Sequence, residues 1–229
     1  MNLPRPLLVF DLDGTIADTA PDLIGALNRT LADVGEAPEP LSNASKLVGA
    51  GGRAMIARAM AWRGRPLTAE AVEPLFAKFL AHYEAHIADE SFLFPGLTAA
   101  LDRFAGEGYV FAVCTNKYEN LANTLLKRLE IASRFAFVCG QDTFGIGKPD
   151  PKPLLGTIAA AGGAVGRVTM VGDAQPDIGA ARAAKVPVVA VGFGYSEPPV
   201  AELGADRTIG HYDELWEAVR SLERSSVDP

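Results

Sequence analysis

Four apolar residues, Leu7-Leu8-Val9-Phe10, run without a polar break and stop at Asp11-Leu12-Asp13-Gly14-Thr15. A run that is continuous rather than alternating reads as a strand buried on both faces of a parallel sheet. Past residue 18 the period becomes helical. Leu23, Leu27, Leu31 and Val34 fall on one stripe, behind a capping-box-like start at Thr19-Ala20-Pro21-Asp22. Gly35 and Pro38 stop that helix. Met55, Ile56, Ala59 and Met60 share a second face. Val72, Leu75, Phe76, Phe79, Leu80 and Tyr83 form a third. No β-like run interrupts this stretch up to about residue 90.

From Phe92 the pattern alternates. The breaker Phe94-Pro95-Gly96 leads into a helix carrying Leu97, Leu101 and Phe104, which stops at Gly106 and Gly108. Strands are expected at Val110–Cys114, Phe135–Cys139, Val168–Val171 and Val188–Val191. Between and after them, helices carry Leu121/Leu125/Leu126/Leu129, Leu154/Leu155/Ile158, Ile178–Lys185 and Leu215/Trp216/Val219/Leu222. Repeated αβ alternation implies an α/β fold with a Rossmann-like parallel sheet and helices on both faces. The helical stretch after the first strand is too long for a crossover and too ordered for a loop. It reads as an inserted all-helical cap domain. The expected division is a core of 1–17 and 92–229 and a cap of 18–91.

Composition narrows the class. The 229 residues are 48% hydrophobic and 21% charged, with net charge −7 and no long basic run. This is the profile of an ordinary globular protein and argues against a nucleic-acid partner. Cys114 and Cys139 stand alone, without CxxC spacing, and read as buried thiols. The start, Met1 to Pro6, does not read as a secretory signal, and no apolar run approaches a membrane span. A cytoplasmic protein without a membrane partner is expected, monomeric or homodimeric, with a frayed tail at Ser225–Pro229.

The chemistry gathers where apolar runs turn polar. Parallel strands would bring Asp11, Asp13, Thr115 and Asp173 to one sheet edge, where a ligand crevice belongs. Asp177 starts the helix after Asp173, and Lys148 precedes another helix within Gly147-Lys148-Pro149-Asp150-Pro151. Taken singly, Thr115 and Asp177 also read as helix caps and Lys148 as a surface lysine. Taken together they make one site. Two carboxylates two residues apart repel unless a cation intervenes. Asp11, Asp13 and Asp173 offer hard oxygen ligands suited to Mg²⁺. A divalent metal and Lys148 reverse the local sign for a phosphate. Uncatalysed phosphomonoester hydrolysis requires acceleration of up to ~10²¹, whereas general acid–base catalysis supplies only ~10²–10⁴. Metal, lysine, nucleophile and acid must therefore act jointly.

The four motifs Asp11-Leu12-Asp13-Gly14-Thr15, Thr115-Asn116-Lys117, Lys148-Pro149-Asp150-Pro151 and Gly172-Asp173-Ala174-Gln175-Pro176-Asp177 resemble, in order, those of the haloacid-dehalogenase-like hydrolases. Within that superfamily the chain looks most like the phosphoglycolate phosphatase group, through Val48-Gly49-Ala50-Gly51-Gly52-Arg53 in the cap and Thr115-Asn116-Lys117. The resemblance implies that Asp11 attacks phosphorus and becomes an aspartyl-phosphate. Asp13 would act as general acid and then base. Gly14, Thr115, Asn116, Lys117 and Lys148 would bind the phosphoryl group or substrate. Asp11, Asp13 through its carbonyl, Asp173 and Asp177 would form the Mg²⁺ shell, with Asp177 supporting the metal or Lys148. Ala174 departs from the small hydroxyl residue common after the Asp173 position.

In the cap, Arg53 beside Gly49, Gly51 and Gly52 is the candidate partner for a substrate carboxylate. Lys46 is a weaker one. His82 and His86, at i and i+4 without HExxH around them, read as surface residues. The expected reaction is Mg²⁺-dependent hydrolysis of a small phosphorylated metabolite, 2-phosphoglycolate first. Other sugar phosphates or a phosphomutase reaction of the same fold remain open. Dehalogenase chemistry dispenses with the second acid and the metal, so Asp13 and Asp173 speak against it. A binding or regulatory module would tolerate Asp11→Asn.

Overall fold

The computed structural model describes residues 5–49 and 51–225. Ala50 of the cap loop, part of the expected non-signal start and nearly all of the expected frayed tail lie outside them. Among the described residues a six-stranded sheet has the order β5-β4-β1-β6-β7-β8. Its strands are β1 (Leu7–Phe10), β4 (Val110–Cys114), β5 (Phe137–Cys139), β6 (Val168–Gly172), β7 (Val188–Val191) and β8 (Arg207–Ile209), and every pairing is parallel. Strand β1 lies in the middle, as its four buried residues require. Phe10 pairs with Val113 on one side and Val171 on the other. Asp11, Thr115 and Asp173 therefore leave the sheet close to the same level.

The pleat sorts the core into two layers. Leu8, Phe10, Phe111, Val113, Val171 and Val189 face α5 (Leu97–Gly106), α6 (Glu119–Arg128) and α9 (Leu215–Ser225). Leu7, Val9, Ala112, Cys114, Met170 and Val188 face α7 (Pro151–Ala160) and α8 (Gln175–Ala184). Helices thus cover both faces, as the continuous apolar runs demand.

Between β1 and β4 the chain forms α1 (Ala20–Ala32), α2 (Ala44–Leu47), α3 (Gly52–Trp62) and α4 (Ala69–Ala85). Of the expected stripes, Leu23, Leu27 and Leu31 on α1, Met55, Ile56, Ala59 and Met60 on α3, and Val72, Phe76, Phe79 and Tyr83 on α4 are buried, whereas Val34, Leu75 and Leu80 are only partly so. This is the inserted helical cap.

Three local expectations are corrected. A two-residue antiparallel pair, β2 (Ala17–Asp18) with β3 (Phe92–Leu93), joins the two chain crossings of the cap. Runs this short carry no period to read. Strand β8 was also unread, because Arg207 and Thr208 are exposed on the sheet edge and only Ile209 is buried. The capping box at the start of α1 does not form. The Thr19 hydroxyl makes no cap bond and turns to Asp13 instead. Asp22 accepts from the N–H groups of Glu90 and Ser91 and from the Ser91 hydroxyl (2.6–3.1 Å).

Candidate active site

Lys148 organises the floor of the site. Its side chain is 1% exposed, and its Nζ lies 2.5 Å from Asp177 Oδ1, 2.6 Å from the Cys114 carbonyl and 2.9 Å from Asp11 Oδ1. Burial alone would push its ammonium pKa down. The charges of Asp11 and Asp177 outweigh that and hold it above the ordinary lysine range. The loop that delivers Lys148 is pinned by Asn116. The Asn116 amide donates to the Lys148 carbonyl (3.0 Å), and its oxygen accepts the Lys148 N–H (2.8 Å).

Asp11, Asp173 and Asp177 are buried, and each offers a carboxylate oxygen within 4.8 Å of the others. Desolvation, reinforced by Asp177, pushes the Asp11 carboxyl up from 3.8 to about 6, with Lys148 pulling the other way. Desolvation also raises Asp173 well above the usual carboxylate range, followed by the charges of Asp177 and Asp11. Asp11 Oδ1 makes its ion pair with Lys148 outside hydrogen-bond geometry and is a buried oxygen without a hydrogen-bond partner. Lys148 gives that oxygen a charge partner, but one ammonium against the three clustered carboxylates leaves negative charge uncompensated. A cluster of hard oxygens around it, with no His or Cys, fits a divalent metal.

Each carboxylate is held in place. Asp173 accepts from the Thr15 hydroxyl (2.9 Å) and the Tyr195 N–H (2.8 Å). Asp177 Oδ2 accepts from the N–H groups of Asp173 (3.1 Å) and Ala174 (3.0 Å), so it caps α8 while its other oxygen holds Lys148. Asp177 thus holds Lys148 and the Asp173 turn while remaining a member of the carboxylate cluster. Gly14 sits at φ +82°, and a Cβ there would stand 2.4 Å from Asp173 Oδ2. The turn after Asp13 therefore requires glycine twice over, once for conformation and once for space.

Asp13 faces the crevice between core and cap. Its Oδ1 accepts from the Thr19 hydroxyl (2.7 Å) and lies 2.9 Å from Lys117 Nζ. Lys117 is buried, whereas Asp13 is partly exposed to the crevice. The ammonium donates to the Tyr83 hydroxyl of α4 (3.0 Å) and stands 4.5 Å from the centre of that ring. Burial would lower the Lys117 pKa, but Asp13 and then Tyr83 hold it raised. Thr115 is 3% exposed and lines the crevice with Asp11, Asp13, Asn116 and Lys117. The cap wall carries the apolar side chains of Leu23, Leu47, Met55, Phe79 and Leu80 beside Tyr83 and the backbone of Gly49, Gly51 and Gly52.

Arg53 does not join this group. It forms a two-bond pair with Glu73 (2.6 and 2.9 Å), donates to the Tyr118 hydroxyl (3.0 Å) and stacks over Phe76. Its side chain is 45% exposed. Lys46 is exposed. His82 and His86 sit beside Asp33 and Asp89, away from the crevice.

Sequence reasoning missed Thr15, Thr19, Tyr83 and Tyr195. Thr15 was visible within the first motif but had no role. Thr19 was absorbed as a cap and Tyr83 as a core aromatic. Nothing near Tyr195 marks it, although its N–H holds Asp173 and its hydroxyl accepts the N–H groups of Thr19 and Ala20 (2.8 and 3.0 Å).

The geometry fits the comparisons with known proteins. A family model for haloacid dehalogenase-like hydrolases matches residues 8–191. The chain is 45% identical over 213 residues to the phosphoglycolate phosphatase of Mesorhizobium japonicum, covering 93% of this chain and 94% of that protein. It is 42% identical over 222 residues to the phosphoglycolate phosphatase of Caulobacter vibrioides, covering 97% and 94%. A crystal structure of a predicted phosphoglycolate phosphatase from Haemophilus somnus superposes with a TM-score of 0.85 at 27% identity, covering 93% of this chain and 97% of that one. With sheet, cap, carboxylates and buried lysine in the arrangement those motifs imply, this chain belongs to the haloacid dehalogenase-like hydrolases.

Proposed function

We propose that this hydrolase is a Mg²⁺-dependent phosphatase that converts 2-phosphoglycolate to glycolate and phosphate through an aspartyl-phosphate on Asp11. The observation that carries the reading is the buried Asp11 carboxylate, set between Lys148 and Asp173 and opening on a crevice roofed by the cap. The substrate name is supported by the two relatives, which are phosphoglycolate phosphatases. Two free buried thiols, Cys114 and Cys139, suit a reducing cytoplasm.

The roles follow from position. Asp11 supplies the attacking oxygen, and Lys148 neutralises charge between it and the incoming phosphoryl group. The Thr115 hydroxyl and backbone N–H groups around Gly14 and Asn116 hold the phosphoryl oxygens. Asp13 donates a proton to the leaving alkoxide, then takes one from the water that attacks phosphorus. Asp11 and Asp173, with the Asp13 carbonyl, would hold Mg²⁺, which when bound neutralises phosphoryl charge; Asp177 keeps that shell and Lys148 in register. The domain division proposed is a catalytic core of 1–17 and 92–229 and a cap of 18–91, the β2–β3 pair marking both crossings.

Purified protein should release phosphate from 2-phosphoglycolate with Mg²⁺ and lose that activity in EDTA. Equal turnover of many sugar phosphates would retain the reaction class and remove the named substrate. Isomerised product without phosphate release would replace hydrolysis by a mutase reaction.

A further inference from the structure

Lys117 is a buried cation with unused capacity at the mouth of the reaction site. Its side chain is 5% exposed, and it is the one lysine or arginine among the described residues lining the crevice. An ammonium carries three donors. Asp13 Oδ1 at 2.9 Å and the Tyr83 hydroxyl at 3.0 Å account for two. Lys148 is engaged below by Asp11, Asp177 and the Cys114 carbonyl. Arg53 is spent on Glu73 and Tyr118. The other cap side chains lining the crevice are apolar or, at Gly49, Gly51 and Gly52, reduced to backbone, so among the described residues no second cationic side chain meets an anion there. A carboxylate buried against such a wall is strongly disfavoured unless a cation meets it.

We propose that Lys117, oriented by Tyr83 of the cap, is the receptor for the substrate's carboxylate, which makes the enzyme selective for phosphate esters of 2-hydroxy acids over neutral esters. This deepens the function proposed above and rests on it. The distances are compatible. An ester oxygen within reach of Asp13 places a carboxylate one methylene away beside an ammonium that itself lies 2.9 Å from Asp13. A longer phosphorylated acid would carry its carboxylate past Lys117 towards Leu80 and Phe79. The cap thus contributes to selectivity by fixing a core lysine, through the Tyr83 hydroxyl and ring, rather than by lending a charge of its own.

The test compares kcat/KM for 2-phosphoglycolate and for ethylene glycol monophosphate, which replaces the carboxylate by a hydroxymethyl group, with Mg²⁺ present. Wild type is expected to prefer the acid by ~100-fold or more, the scale of a desolvated charge pair. In Lys117→Met the preference should collapse below ~5-fold, chiefly through KM. Lys117→Arg should restore part of it, and Tyr83→Phe should lower it by ~3–10-fold. A ratio is used because general damage to Asp13 or to folding lowers both rates and leaves the ratio intact. A preference that survives Lys117→Met overturns the inference while leaving the phosphatase reading in place. So does a preference lost in Arg53→Gln instead, or a wild type that treats both esters alike. If wild type hydrolyses neither ester, the functional reading fails and the receptor with it.

Discussion

At Asp11, burial and charge act against each other. Desolvation and Asp177 raise its carboxyl to about 6, despite Lys148 at 2.9 Å. The sign of the consequence is fixed. Between about pH 4 and 6 the native state holds a proton that the unfolded chain has released, so without metal the stability from this group declines as pH rises through that window. Metal binding displaces the same proton, so its stabilisation grows as pH rises. At fixed Mg²⁺, the increase in Tm should be larger at about pH 7.5 than at about pH 5, as thermal melts will measure; an equal increase would place the metal elsewhere. Lys148→Met removes the cation that pairs with both buried carboxylates, Asp11 and Asp177. It is expected to destabilise by about 3–5 kcal/mol in denaturant titrations and to lower kcat by ~10³-fold or more.

Among the elements, the two crossings between core and cap show what local pattern leaves unread. The expected helix start at Thr19 used the right residues with the wrong partners. Thr19 turns to Asp13, and Asp22 gathers the Glu90 and Ser91 N–H groups from the other crossing. Both contacts join residues far apart in sequence or lie across a turn, so no period or cap motif announces them. Asp22→Ala should therefore act as a hinge variant. It leaves several donors of the second crossing unmet and is expected to cost about 2–3 kcal/mol in stability by urea titration. Asp22→Asn, which keeps the acceptor oxygen without the charge, should recover part of it.

For the whole molecule, five of the six sheet strands, most of the buried stripes and the gathering of Asp11, Thr115 and Asp173 at one sheet edge were legible because each rests on a strong local signal. Continuous apolar runs gave strands, 3.6-residue stripes gave helices, and carboxylates at strand ends gave the crevice. The roof was legible only in outline. Arg53 looked free because its pairing with Glu73 and Tyr118 is a tertiary accident of two helices and a core loop. Lys117 was a candidate without a partner until Tyr83, an apparent core aromatic, came to lie on it. The floor is thus written in motifs, whereas the roof is written in contacts between segments. Exchanging the cap residues around Tyr83 should accordingly change which ester is preferred while the reaction stays a phosphoryl transfer, as the proposed roles of Asp11 and Lys148 require. A panel of phosphate esters assayed on such variants measures that separation.

In the proposed mechanism the phosphoryl group passes through Asp11. Acid quenching of the enzyme during turnover of 2-phosphoglycolate with Mg²⁺, followed by peptide mass spectrometry, tests it directly. One hydroxylamine-labile phosphoryl group is expected on the peptide carrying Asp11, and in Asp11→Asn neither adduct nor turnover above background. Turnover that proceeds with no adduct, or an adduct on Asp13 or Asp173 instead, would contradict it.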